Sequence, residues 1–251
     1  MAAVHASAVL LPGILMPARA RYAPLMAALD GREAWPKELE VYAGDAPPPG
    51  YTLDDEVAGL LAFLNERGVD RAHLYGHSAG ASIALAFTAE HGERVLSLAL
   101  DEPATDFSAE DHELIAALWP GSLDELPVPQ RMQVFARSLV RPEVDLPPPP
   151  SGPPPPGMAN RPAGLAAFEN AITGRQVDEA SLAAFHGPVY FSYGSLSNPR
   201  WEAMAERTAG RFTDVEVERY EGLHHLNTSH MAEPKRVALA LAQLWTRAER
   251  C

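Results

Sequence analysis

A serine becomes a nucleophile only when a base takes its proton, a partner orients that base, and preorganised donors receive the charge built on the attacked oxygen. The segment "HLYGHSAGASIALAF", residues 73 to 87, sets Ser78 between two glycines as Gly76-His77-Ser78-Ala79-Gly80. A strand-like AHLY runs into it and a helical ASIALAFTAEH runs out. A sharp strand-to-helix turn would hold the serine strained at the carboxyl edge of a sheet, with small residues where the two elements nearly touch. Candidate bases cluster in "RYEGLHHLNTSHMAEPKR", which carries His224, His225 and His230. These histidines lack a helical i, i+4 pair and have no Cys or acidic ligand beside them, so they point to a base rather than a metal, and no cofactor is expected. Candidate acids are Asp101 and Glu102 in "LSLALDEPAT", whereas "YGSLSNPRW" has no Asp or Glu between Gly194 and Trp201.

Positioning these residues requires a sheet. Short apolar runs alternate with amphipathic patterns, the signature of a mostly parallel sheet with crossover helices. Strands are expected at Ala6–Leu11, Leu39–Tyr42, Ala72–Tyr75, Val95–Leu100, Val189–Tyr193 and Val215–Tyr220, and helices near Ala20–Leu29, Leu53–Arg67, Ala79–His91, Pro199–Ala209 and Pro234–Arg247. Thr52 opens a helix with acids in its first turn, Gly68 and Gly92 follow helix ends, and Pro199 and Pro234 suit first turns. The alternation stops between Pro103 and Gly187, where four helices are expected without a strand: Ala109–Leu118, Pro129–Val140, Pro162–Thr173 and Asp178–Phe185. The organisation read from this is a core of residues 1–102 and 187–251 with a helical cap or lid over 103–186. Inside the cap, "LPPPPSGPPPPG" (146–157) favours polyproline II and reads as a stiff connector, with a hinge or a docking strip as alternatives.

Composition narrows the function. With 251 residues, 47% of them hydrophobic, the chain can bury a full core. A formal charge of −13 argues against nucleic-acid or anionic-membrane partners, which need clustered Lys and Arg. The single cysteine, Cys251, allows no internal disulfide and sits where a nucleophile could not be held. The apolar start "MAAVHASAVLLPGILMPARA" lacks a basic leader region and is broken by Pro12 and Gly13, so a cleaved leader is not expected. A cytoplasmic location follows by elimination.

The GHSAG elbow, its flanks and the histidine loop together resemble the α/β-hydrolase fold superfamily, from LLPGIL to the last helix. The resemblance implies an α/β fold whose sheet of about six strands lacks the first two strands of the full family pattern. It implies Ser78 as nucleophile, and an oxyanion hole from the backbone N–H of Ala79 and, in the LLPGILMP loop where Pro12 replaces the family's histidine, of Ile14. The family pattern places the base three residues after Gly222, at His225, with His224 the alternative and His230 nearer a helix entry. Its usual acid position falls on Ser197 and Asn198. The family's second acid position, just after the strand following the nucleophile helix, selects Glu102, with Asp101, or a triad completed by Ser197 or Asn198, as the alternatives. The activity implied is cofactor-independent cleavage of an ester, thioester or lactone in a small molecule with an apolar part. Carbon–carbon hydrolysis, lyase or cyclase chemistry, and an inactive binding protein are the alternatives. Phe107, Leu114, Leu118, Trp119, Phe135 and Phe168 are available as an apolar cap wall.

Overall fold

The structure, a computed structural model, describes residues 6–118, 126–146, 148, 158–173 and 175–250. Its six strands are β1 (Ala8–Leu11), β2 (Ala34–Pro36), β3 (Ala72–His77), β4 (Val95–Asp101), β5 (Val189–Gly194) and β6 (Val215–Tyr220). They form one sheet in the order β2-β1-β3-β4-β5-β6, with every adjacent pair parallel. Parallel pairing needs crossovers, which put helices on both faces, so the central strands read as nearly unbroken apolar runs.

Successive residues on a strand point to opposite faces. Val9, Leu11, Leu74, Leu98, Leu100, Val189 and Phe191 pack on the face covered by α2 (Leu53–Glu66), α3 (Ala79–His91) and α8 (Arg200–Arg211). Leu10, Tyr75, Ala99 and Tyr190 face the other way, against α1 (Ala18–Ala28) and α10 (Pro234–Ala248), the latter preceded by the short α9 (Ser229–Ala232). The face of α10 that meets the sheet repeats at helical spacing through Val237, Leu241, Leu244 and Trp245, all fully buried.

The expected strand at Leu39–Tyr42 is not one. Residues Glu40–Tyr42 make a 3₁₀ turn, and the strand lies earlier, at Ala34–Pro36. The buried Glu56 carboxylate accepts the N–H groups of Glu40 and Val41, each at 2.9 Å, taking donors a strand would give to a neighbour. Alternating Leu39 and Val41 are buried as a strand pattern predicts, but against helices. Thr52 starts α2 as expected, its N–H held by Asp55 at 2.8 Å.

Between β4 and β5 the described residues form α4 (Ala109–Leu118), α5 (Val128–Ser138), α6 (Arg161–Thr173) and α7 (Glu179–Ala183), with no strand among them. Helices α4, α5 and α6 contribute to a cavity over Ser78, whereas α7 packs on α3. The proline tract falls almost wholly outside the described residues, as does Trp119. No helix of the described residues is long and apolar enough to cross a membrane.

Candidate active site

Strand β3 ends at His77, and Ser78 turns the chain into α3 at φ 54°, ψ −118°, in the left-handed half of backbone space. A non-glycine residue there is strained and persists only where its surroundings over-determine it. Both flanking glycines are sterically required. A Cβ on Gly76 would lie 2.3 Å from the Gly80 carbonyl oxygen, and one on Gly80 would lie 2.1 Å from that of Leu11. The turn is pinned by Ser78 N–H donating to Asp101 O, Gly80 N–H to Pro12 O, and Ala104 N–H to Ser78 O, at 3.0, 3.0 and 3.1 Å.

His225 follows β6, and its Nε2 lies 3.0 Å from Ser78 Oγ. Its Nδ1 lies 2.8 Å from Glu102 Oε2, while Glu102 Oε1 accepts the Gly194 N–H at 2.8 Å. Glu102 itself has φ 49°, so two strained residues, each just beyond the end of a neighbouring strand, carry the hydroxyl and the carboxylate. All three side chains are buried. The Trp201 indole stacks on the His225 ring, centroids 4.5 Å apart and planes 10° off parallel, and its N–H is tied to Pro103 O at 2.8 Å. The imidazole is thus held in plane by stacking and at both nitrogens by hydrogen bonds.

The alternatives are placed elsewhere. Asp101 Oδ2 meets His230 Nδ1 at 2.9 Å and accepts from Tyr75 and Ser229, while Oδ1 accepts from Ser192. Burial opposes ionisation of Asp101, but the hydrogen bonds from His230, Tyr75 and Ser192 together hold it below the usual carboxylate range. Burial pushes His230 down to about 4 against the pull of Asp101, leaving an ionised acid beside a neutral imidazole at neutral pH. His224 is half-buried and turns away, its Nδ1 accepting the Asn227 N–H at 3.2 Å. Asn198 does not approach His225. Its amide donates to Ser138 O at 3.0 Å, its N–H to Leu139 O, and Arg141 N–H bonds Leu196 O. The loop at the usual acid position fastens the end of α5 to the core.

Ile14 and Ala79 are buried and line the same cavity as Ser78. The Ile14 carbonyl is held by the Tyr42 hydroxyl at 2.7 Å, which fixes the loop's peptide planes. Neither residue's N–H is given to another backbone oxygen in the turns and caps of the described residues.

Beneath the serine lies a layer that the motif reading missed. The His77 ring sits 4.8 Å from that of His225 and 5.0 Å from that of His230, and burial followed by the Arg21 charge pushes its pKa well down. His77, Glu102 and His225 bring possible ligand atoms within 4.8 Å of one another. Both His225 nitrogens are already engaged, and the Arg21 guanidinium 3.3 and 3.4 Å from the His77 ring nitrogens repels a cation. An arginine after an LPGILMP loop and a tryptophan after SNPR were the available signals; neither residue type announces itself without the fold.

A sequence profile described as "alpha/beta hydrolase fold" matches residues 35–138, the span holding the strand-turn-helix at Ser78, Glu102, α4 and α5. The chain's backbone superposes over 98% of its length on 91% of MGS-M2, an alpha/beta hydrolase enzyme from a Medee basin deep-sea metagenome library (TM-score 0.72, 15% identical). The chain has the α/β-hydrolase fold, and residues 35–138 match that family's profile. Carboxylesterase CesB of Bacillus subtilis shares the fold over 96% of this chain and 84% of its own, at TM-score 0.65 and 16% identity. A Caulobacter segnis protein named as a putative carbamate hydrolase, RutD, is 34% identical over 93 residues, covering 35% of this chain. The match spans about a third (34%) of that relative's length.

Proposed function

We propose that the protein is a serine hydrolase acting on a carboxylic ester, thioester or lactone, with Ser78 as nucleophile, His225 as base and Glu102 as the orienting acid. The observation that carries this is the continuous hydrogen-bonded line from Ser78 Oγ through both nitrogens of His225 to Glu102, at 3.0 and 2.8 Å. Ser78 passes its proton to His225 Nε2 as Oγ bonds the acyl carbon. Glu102 stabilises the imidazolium, and the Ile14 and Ala79 N–H groups hold the oxyanion. His225 then protonates the departing oxygen or sulfur, the carbon–heteroatom bond breaks, and an acyl-enzyme is left. Water deprotonated by His225 attacks the acyl carbon and releases the acid and free Ser78.

The substrate wall supports a small molecule with an apolar acyl part: Ile115, Leu118, Phe135, Leu165, Phe168 and Ile172, all from cap helices, line the cavity above Ser78. Of the other cap-wall candidates, Phe107 is buried off the cavity and Leu114 is exposed. The names of the carboxylesterase and carbamate hydrolase relatives fit attack on a carbonyl bearing a heteroatom. A fluorophosphonate probe together with a p-nitrophenyl ester chain-length series tests the reading. Labelling at Ser78 with a pre-steady-state burst is expected. Turnover without labelling would move the assignment to acid–base chemistry without acylation, and inactivity with no labelling would leave a binding protein.

A further inference from the structure

Two cavities meet at Ser78, share Ile14, Phe135 and Leu139 as well, and differ in the rest of their lining. The one under the cap, about 70 Å³, includes Ala79 and the apolar residues named above. The other, about 160 Å³, lies against the loop from Gly13 to Met16 and is lined by Ser78, His77, His225 and Arg21. His225 borders the second cavity and not the first. In acyl transfer the imidazolium must hand its proton to the departing group, so that group belongs on the side the imidazole faces. The acyl half then belongs under the cap.

Arg21 is the one Lys, Arg, Asp or Glu side chain in the second cavity's lining. It is only 7% exposed, yet no carboxylate among the described residues pairs with it. Its Nη2 donates to Thr228 Oγ1 at 3.0 Å and rests beside the His77 ring, its Nη1 faces only the Met16 sulfur at 3.5 Å, and its Nε has no partner. A guanidinium offers five N–H donors in a planar fork suited to a carboxylate, so much of this donor capacity is unspent. The carboxylates whose fields reach Arg21, Asp101 and Glu102, do not line the cavity, and each is already held by its own histidine and other donors.

Resting on the acyl-transfer reading above, we infer that Arg21 determines specificity by receiving a carboxylate carried on the departing half of the substrate. The substrate class is an ester or thioester joining an apolar acyl group to a small hydroxy or thiol acid.

The test compares butyryl esters of glycolate, 3-hydroxypropanoate and 4-hydroxybutanoate with butyryl esters of the corresponding primary hydroxy amides, which keep shape and lose charge. At one chain length or more, the acid ester is expected to exceed its amide in kcat/KM by about tenfold or more, an excess that shrinks with added salt and falls to parity in Arg21→Gln. The wild-type comparison needs no variant, so a misfolded Arg21→Gln leaves the result readable. Equal rates for acid and amide at all three lengths overturn the Arg21 inference and leave the hydrolase reading standing. No turnover of either set or of p-nitrophenyl butyrate overturns the hydrolase reading instead. Calorimetric titration of wild type with 4-hydroxybutanoate and its amide then decides the subsite: binding of the acid alone supports it, and no binding overturns it.

Discussion

Two acid–histidine pairs stand side by side at the end of β4. Glu102 holds His225 at 2.8 Å and Asp101 holds His230 at 2.9 Å, from adjacent residues on one side and, on the other, the turn after β6 and the short helix that follows it. Only the first meets a serine through the far nitrogen of its imidazole and borders a cavity that serine also lines. The second is closed in by Tyr75, Ser192 and Ser229, with the far nitrogen of His230 against Thr228 Oγ1 at 3.2 Å. The chemical unit is the same, and what differs is the third neighbour and access. A buried pair completed by protein hydroxyls is architecture, whereas a pair completed by a strained serine beside a cavity can do work on a ligand.

The contrast can be broken from either side. Ser78→Ala should cost the most, lowering ester kcat by about 10⁵-fold or more and abolishing probe labelling, with little change in unfolding midpoint. Glu102→Gln should lower kcat/KM by roughly 10³–10⁴-fold, since an amide orients the ring without stabilising its charge. If Asp101→Asn cut activity as deeply as Glu102→Gln while the protein stayed folded, the division of labour drawn above would be wrong. Its expected effect is instead on stability, a loss of about 3 kcal/mol in urea unfolding, because several buried donors lose a charged acceptor.

A smaller effect separates the pairs by pH. His230 is held at about 4 when folded, against roughly 6.5 when unfolded, so between these values the unfolded chain binds more protons and stability falls as pH falls. His73, also lowered to about 4 by burial, and His77 and His224, lowered chiefly by burial, act in the same direction. Replacing His230 by Gln should flatten the fall from pH 6.5 to 4 relative to wild type, as read by urea midpoints across that range, without removing the share owed to the other three. Asn198→Ala should be the mildest, changing kcat by only a few-fold while loosening the end of α5. A loss comparable to Glu102→Gln would return the acid's role to the SLSNP loop.

Much of this was legible because it follows from local rules. The elbow needs small residues at 76 and 80, and the backbone around them leaves no room for a Cβ. The parallel sheet follows from apolar runs such as AVLL and VYF spaced by helical patterns. The strand misplaced at Leu39–Tyr42 shows the limit of alternation, because a side chain sixteen residues away, Glu56, claimed the backbone donors of Glu40 and Val41. Asp101 and Glu102 could be named as candidates from sequence, but the partner of each depended on which way it leaves β4.

The sequence by itself determined the strand-turn-helix that sets Ser78 at the carboxyl end of β3, the helical character of the described residues between β4 and β5, and the absence of a carboxylate in the loop after β5. These are short-range properties, set by residue size, backbone preference and periodicity. Only the tertiary structure decided that His225 rather than His224 meets Ser78, that Trp201 stacks on it, that Asn198 serves α5, and that Arg21 stands buried at the second cavity. Each depends on elements far apart in the chain arriving at one edge of the sheet, and pairwise contact at that distance is fixed by packing rather than by any local pattern.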